Sequence, residues 1–266
     1  MKRLFYLLAF VGVLFSSCED NSVKLIIHSS AYEAVKDLKD ANGNPYFTGK
    51  LENGINLRFS FLVVNEDSEE IVARDVRYVD DINSVASYTT DELEPGNYRI
   101  MVMNDFVKDG QEFNEVIVRT QYNGLYFVCE KNKGVYSAFG TAVVEHFAID
   151  EKKEITLNTQ RKGAMVTFLL KNTDKMIDNR YWISDVVFSY LASDDYNSGF
   201  YNVNNGGYAT FGKEMTSIQY YCANTSYDSD FGMISWQGAD FGYKLLTPGK
   251  DKVVILDFAT NEATLQ

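Results

Sequence analysis

Leu57-Arg58-Phe59-Ser60-Phe61-Leu62-Val63-Val64 opens in alternation of apolar and polar side chains and closes as an unbroken apolar run. Successive side chains of a strand point to opposite faces, so this stretch reads as one strand with a face turned to a core. Downstream, Asn65-Glu66-Asp67-Ser68-Glu69-Glu70 is a polar turn and Ile71 to Ala73 resumes the strand. Thr89-Thr90-Asp91-Glu92 is a polar lead into Leu93-Glu94-Pro95-Gly96-Asn97-Tyr98. Pro followed by Gly there suits a type II turn, with Gly96 at positive φ. Tyr98 to Met103 follows as a strand. Upstream, Val23 to His28 is a short apolar run. Helix signals are few: Ser29-Ser30-Ala31-Tyr32-Glu33 reads as a capped start, with Val35 and Leu38 at helical spacing to about Asp40.

Further strands are expected at Glu115 to Arg119, Leu125 to Cys129, Ala142 to Ile149, Glu154 to Asn158 and Ala164 to Lys171. Beyond these lie Ser184 to Leu191, Gly199 to Val203, Tyr208 to Phe211, Ser217 to Cys222, Gly232 to Trp236 and Lys252 to Phe258. Strands recurring at about 8–15 residues, without intervening helices, predict an all-β chain of antiparallel sandwiches. A length of 266 residues admits about two domains. The boundary falls near residues 158–163, which gives units of 18–160 and 161–266. Apolar residues make up 45% and aromatics 14%, enough for packed cores, and Tyr, Phe and β-branched residues favour sheet. The net charge of −12 excludes a nucleic-acid groove, because backbone binding needs clustered Lys and Arg.

The first seventeen residues are an address. Lys2 and Arg3 precede an uncharged run from Leu4 to Phe15. As a helix that run spans roughly 18 Å against a hydrocarbon core of about 30 Å, so residues 1–17 read as a signal peptide rather than a membrane span. The run ends in Phe15-Ser16-Ser17-Cys18, which looks like a bacterial lipobox with Cys18 as the lipidated residue. Cleavage before Cys18 would remove Lys2 and Arg3 and take the formal charge from −12 to −14. Cys129 and Cys222 remain, each in an apolar or aromatic stretch that suits a buried free thiol, with a disulfide between them as the alternative.

Catalysis finds no support. Asp40-Ala41-Asn42-Gly43-Asn44 resembles the start of a calcium loop, but Pro45 stands where Gly is needed and Leu51 where a bidentate Glu is needed. It reads as a loop of turn formers. Asp194-Asp195 and Asp228-Ser229-Asp230 read as acidic turns, and His28 and His146 stand alone. No Ser–His–Asp order, Cys–His pairing or phosphate loop occurs, so no metal, cofactor or catalytic residue is expected. Aromatics crowd the polar loops of the second half, and Trp236 and Tyr227 are the candidates for exposed contacts with a sugar or a protein.

Three stretches carry a resemblance. Cys18-Glu19-Asp20 is a lipobox followed by acid, the pattern that directs lipoproteins to the outer face of the outer membrane in Bacteroides-type bacteria. Leu57 to Ala73, then Leu93-Glu94-Pro95-Gly96-Asn97-Tyr98-Arg99-Ile100, looks like a strand–turn–strand and an L-x-P-G-x-Y turn. Glu154-Ile155-Thr156-Leu157 with Arg161, ahead of the apolar strand Ala164 to Lys171, looks like a join between domains. Together they resemble the fimbrillin-associated anchor and minor fimbrial subunit family, within the fimbrillin superfamily of type V pili. The resemblance implies two tandem transthyretin-like β-sandwiches. It also implies a cell-surface lipoprotein that anchors or caps a fimbria-like adhesive assembly. Its partners would be the outer membrane, through the lipid, and fimbrial subunits, by strand addition. A host or glycan ligand would be a further partner. In such an addition an unpaired sheet edge accepts a subunit's strand. Lys252 to Phe258 would be the last strand, followed by a free tail. The other reading is a glycan-binding outer-surface lipoprotein of a polysaccharide-uptake system.

Overall fold

The computed structural model describes residues 23–108, 111–112, 114–119, 124–129, 140–161, 163–176, 180–185, 187–190, 199–202, 207–210, 213–223, 231–236, 239–244 and 251–266. Strands dominate. They are β1 (Leu25–Ser30), β2 (Ile55–Asn65), β3 (Glu70–Val79), β4 (Val85–Thr89), β5 (Gly96–Lys108), β6 (Gln111–Glu112), β7 (Asn114–Arg119), β8 (Gly124–Cys129), β9 (Gly140–Ile149), β10 (Lys153–Thr156) and β11 (Gln160–Arg161). The chain continues through β12 (Gly163–Lys171), β13 (Arg180–Asp185), β14 (Val187–Tyr190), β15 (Gly199–Asn202), β16 (Gly207–Thr210), β17 (Ser217–Ala223), β18 (Phe231–Trp236), β19 (Ala239–Lys244), β20 (Lys252–Asp257) and β21 (Glu262–Leu265). One helical turn, α1 (Tyr32–Val35), and a 3₁₀ turn at Thr173–Lys175 complete the described elements. The expected all-β class is what forms.

A three-stranded sheet in the order β10-β1-β4 packs against a larger one whose main path is β11-β9-β5-β2-β3. The alternation in β2 sets this packing. Phe61 meets Tyr88 of β4 with ring centroids 5.7 Å apart, and Phe106 of β5 stacks on Phe47 at 4.8 Å. Leu25, Ile27, Leu57, Phe59, Leu62, Val63, Val102 and Phe106 are fully buried. Each such side chain contributes roughly 1.5–3 kcal/mol by leaving water, so this core dominates the stability of the N-terminal sheets. After Gly163 the order is β17-β12-β20-β21 in one sheet and β16-β13-β18-β19 in another. Among the described residues no sheet mixes strands from before Arg161 with strands from after Gly163.

The pairing is antiparallel apart from two parallel pairs, β1 with β10 and β12 with β20. Local alternation reports a strand but not the direction of its neighbour, so these pairs were not visible in the sequence. The helix expected from Ser29 shrinks to α1, because β1 takes both serines. Ser29 Oγ donates to the Leu157 carbonyl at 2.6 Å, and Ala31 stands at the N-cap without a side-chain bond. Gly96 is not in the positive-φ region and starts β5 opposite Ile149, so the expected type II turn is absent. The tail after Phe258 is not free. It folds back as β21, antiparallel to β20 through a turn at Asn261, whose φ is 58°.

Candidate functional site

Cys18 lies outside the described residues, which begin at Val23. Val23 forms an antiparallel bridge with Leu93, each N–H donating to the other's carbonyl at 2.8 Å. Leu93 opens the Leu93–Tyr98 turn. That turn is closed by a side chain, not by glycine: the buried Tyr98 hydroxyl donates to the Glu94 carbonyl at 2.5 Å. The Asn65–Glu70 turn leans on the same place, since Glu66 N–H donates to Asn97 O at 3.0 Å while Asn65 Oδ1 accepts from Asp67 and Ser68.

Burial chiefly, with added repulsion from Glu94 and Asp67, raises the Tyr98 hydroxyl above its ordinary pKa, against an opposing hydrogen bond from Asn65. The unfolded chain therefore loses this proton first. The contribution is complete below the unfolded value near 10 and fades as pH rises through the folded one. Tyr98→Phe is expected to cost about 0.5–1.5 kcal/mol at neutral pH and to flatten the alkaline fall in stability. Urea titrations from pH 7 to 11 check both; an unchanged alkaline slope would remove Tyr98 as a contributor.

Beyond Val23 the chain enters β1 with partners on both edges. Leu25 to His28 run parallel to Lys153 to Thr156, and Ile26 to Ser30 run antiparallel to Thr89 to Val85. Leu25, Ile27 and Ser29 face the core, so Ile26, His28 and Ser30 face outward. His28, expected to stand alone, bridges three strands. Its Nδ1 lies 2.7 Å from Ser87 Oγ on β4 and its Nε2 2.8 Å from Glu154 Oε1 on β10. A carboxylate only accepts, so Nε2 carries a hydrogen, and Nδ1 shares a hydrogen bond with the Ser87 hydroxyl. The triplet resembles a hydrolytic triad in its atoms. It is a stitch on the outer face of one sheet, drawn from strands far apart in sequence.

Arg161, at the expected join, reaches Asp251 with Nη1 2.9 and 3.1 Å from its two oxygens, and Asp251 Oδ1 also accepts the Met165 N–H at 2.9 Å. Nearby, Gln219 Nε2 donates to the Lys39 carbonyl at 2.9 Å. A cleft of about 330 Å³ lies here, lined by Lys39, Asp40, Met165, Thr167, Asp251 and Gln266. Asp40 is committed to its own loop. Its Oδ1 accepts the N–H groups of Asn42 and Asn44, each at 2.8 Å, and those bonds hold its carboxyl below the usual range. This is the turn-former reading of 40–44. Among the described residues no group of three or more His, Cys, Asp or Glu is placed to hold a metal.

Among the described residues, the edges of the four larger sheets are β3, β4, β10, β11 and, after the join, β17, β21, β16 and β19. On β3, Val72, Val76 and Tyr78 are 41–55% exposed, with Arg74 between them in sequence. Charged residues on such an edge oppose indiscriminate pairing. Of the expected contact residues, Trp236 ends β18 opposite Ala239, and nothing is described of its side chain. Tyr227, Asp194-Asp195 and Asp228-Ser229-Asp230 lie outside the described residues. Cys129 and Cys222 are placed only as backbone, in β8 and β17, and His146 likewise in β9. The missed features are Ser87, in a short strand without a motif, and the contact of Glu154 with His28. No described helix is long and apolar enough to cross a membrane.

No protein-family model matches the chain, and no curated protein matches it. Solved structures do. A Bacteroides thetaiotaomicron protein described as a proposed polysaccharide-binding protein is similar at a TM-score of 0.48 and 10% identity, over 88% of this chain and 91% of its own. The fimbrial anchor protein Mfa2 from Porphyromonas gingivalis is similar at 0.47 and 10%, over 92% and 95%. The tip fimbrial protein Mfa3 from the same organism, truncated at its C-terminus, is similar at 0.42 and 9%, over 92% and 98%. Two of these three neighbours are described as fimbrial proteins and one as polysaccharide-binding.

Proposed function

We propose that this chain is a cell-surface lipoprotein, held at the outer membrane by a lipid on Cys18, that anchors or caps a fimbria-like adhesive assembly. The supporting observation is that β1, with Val23 just before it, joins two of the three resembling stretches. Val23 is bridged to Leu93 of the L-x-P-G-x-Y turn, and the strand that follows it is paired with Glu154 to Thr156 of the join. A signal peptide of residues 1–17 precedes two sandwich units, 18–160 and 161–266, in this reading. The role is structural rather than enzymatic. Fimbrial subunits are the partners, docked by strand addition at a sheet edge, of which β3 exposes the most apolar side chains among those described.

Cys18→Ala is expected to abolish incorporation of labelled palmitate and release the protein from the outer-membrane fraction. Label retained in that variant would overturn the lipid assignment. Surface crosslinking followed by pull-down tests the assembly role, with recovery of a pilin subunit as the expected result and a repeated blank as the contrary one.

A further inference from the structure

The tie between β1 and β10 is longer than the strands alone. Lys153 N–H donates to Lys24 O at 3.3 Å, Leu157 N–H to His28 O at 2.8 Å and Thr159 N–H to Ser30 O at 3.0 Å. The parallel ladder thus extends from Lys24 to Ser30 against Lys153 to Thr159, roughly 20 Å at about 3.3 Å per residue. Side chains reinforce it along its length. Glu154 grips His28 across the strands, and next to it Ser29 Oγ bonds Leu157 O at 2.6 Å and Asn158 Oδ1 accepts the Ser30 N–H at 3.2 Å. Leu25, Ile27 and Ser29 are fully buried beneath it.

Direction matters here. The chain reaches β1 at its N-terminal end, and from the C-terminal end of β10 it leaves, through the two-residue β11 paired with β9, for the strands after Gly163. Because the two strands are parallel, those points lie at opposite ends of the ladder. We infer that tension between the N-terminal tether and the second sandwich unit is carried by β1 and β10 in shear, with the ladder's hydrogen bonds loaded together. This makes the pair a mechanical clamp. The inference rests on the reading of the chain as tethered and load-bearing, but the clamp itself is a property of the folded chain and is measurable without the lipid. An antiparallel partner would instead put both points at one end, and its bonds would break one after another.

The second unit is wired differently. β12 enters it parallel to β20, but β21 turns back, and Gln266 N–H donates to Val253 O at 2.9 Å beside the start of β20. Entry and final residue therefore share one end of that sheet, so a pull on Gln266 peels β21 away.

Single-molecule stretching of the chain from residue 18 to 266 tests this by changing direction without changing any core contact. One handle is fused at residue 18. The second is placed either at Gln266 or, through Glu151→Cys, in the exposed turn before β10, at the same end of the ladder as Leu25. The released length identifies which unit opens. The N-terminal unit is expected to open at several-fold higher force with the Gln266 handle than with the Glu151 handle. Ser29→Ala, at the far end, is expected to lower only the first of these forces. Equal forces in both directions, or a higher force through residue 151, would overturn the clamp. Failure of Cys18 lipidation would overturn the tether and leave this measurement standing.

Discussion

Asp105→Ala is expected to destabilise the protein by about 3–5 kcal/mol, the range for removing one partner of a buried ion pair. Arg58 and Asp105 stand directly opposite each other on β2 and β5. Nε and Nη2 of the guanidinium donate to the two carboxylate oxygens at 2.7 and 2.6 Å, and the side chains are 6% and 1% exposed. The pair shares its face of the sheet with Leu62, Met101 and Met103, all buried. Without Asp105 the buried guanidinium loses the carboxylate that accepts two of its hydrogen bonds. The double variant Arg58→Met, Asp105→Leu is expected to recover most of the loss, because two well-packed apolar side chains avoid the desolvation cost altogether. Urea denaturation of the single and double variants decides it: a single-variant loss below about 1 kcal/mol, or a double variant no better than the single, would refute the argument.

The second large effect is at Gly140, the first residue of β9. A Gly→Ala change stabilises by about 0.4–1 kcal/mol where the backbone and the space allow it. Here the space is taken. A Cβ would lie 2.6 Å from Cβ of Ala34 on α1, 2.7 Å from Asn104 Oδ1 and 2.9 Å from the Gln160 carbonyl. Asn104 cannot swing aside cheaply, since it is fully buried and its Oδ1 accepts the Thr159 hydroxyl. Gln160 O is backbone at the join. Overpacking of this kind costs about 1–3 kcal/mol, so Gly140→Ala is expected to lower the unfolding midpoint. Ala34→Gly in the same chain relieves one contact of three and should restore only part. A Gly140→Ala protein at least as stable as the parent would show that α1 and β11 yield freely.

The larger part of the strand pattern was legible in the sequence, for a local reason. Alternation in β2 and the polar turns around it report whether a residue faces core or water, and that is decided within a few neighbours. β3 was read as only Ile71 to Ala73, because Arg74, Asp75 and Arg77 interrupt its apolar pattern. They are tolerated because β3 is an edge, half-exposed along its length. β4 and β21 went unread because each is short and borrows its stability from a neighbour. The candidate site was half legible. Cys18, the Leu93–Tyr98 turn and Arg161 stood out as motifs. The His28–Ser87–Glu154 triplet did not, because its members are 59 and 126 residues apart and only strand pairing brings them together.

By itself the sequence determined an all-β chain and the larger part of its strand positions. These depend on side-chain type, period and charge, which act over short range. Only the tertiary structure decided that β1 lies between β10 and β4, that its neighbour β10 is parallel, that Arg58 meets Asp105, and that Gly140 has no room for a methyl group. Those are matters of direction, register and packed volume between segments distant in the chain, and local patterning is the same whichever neighbour a strand takes.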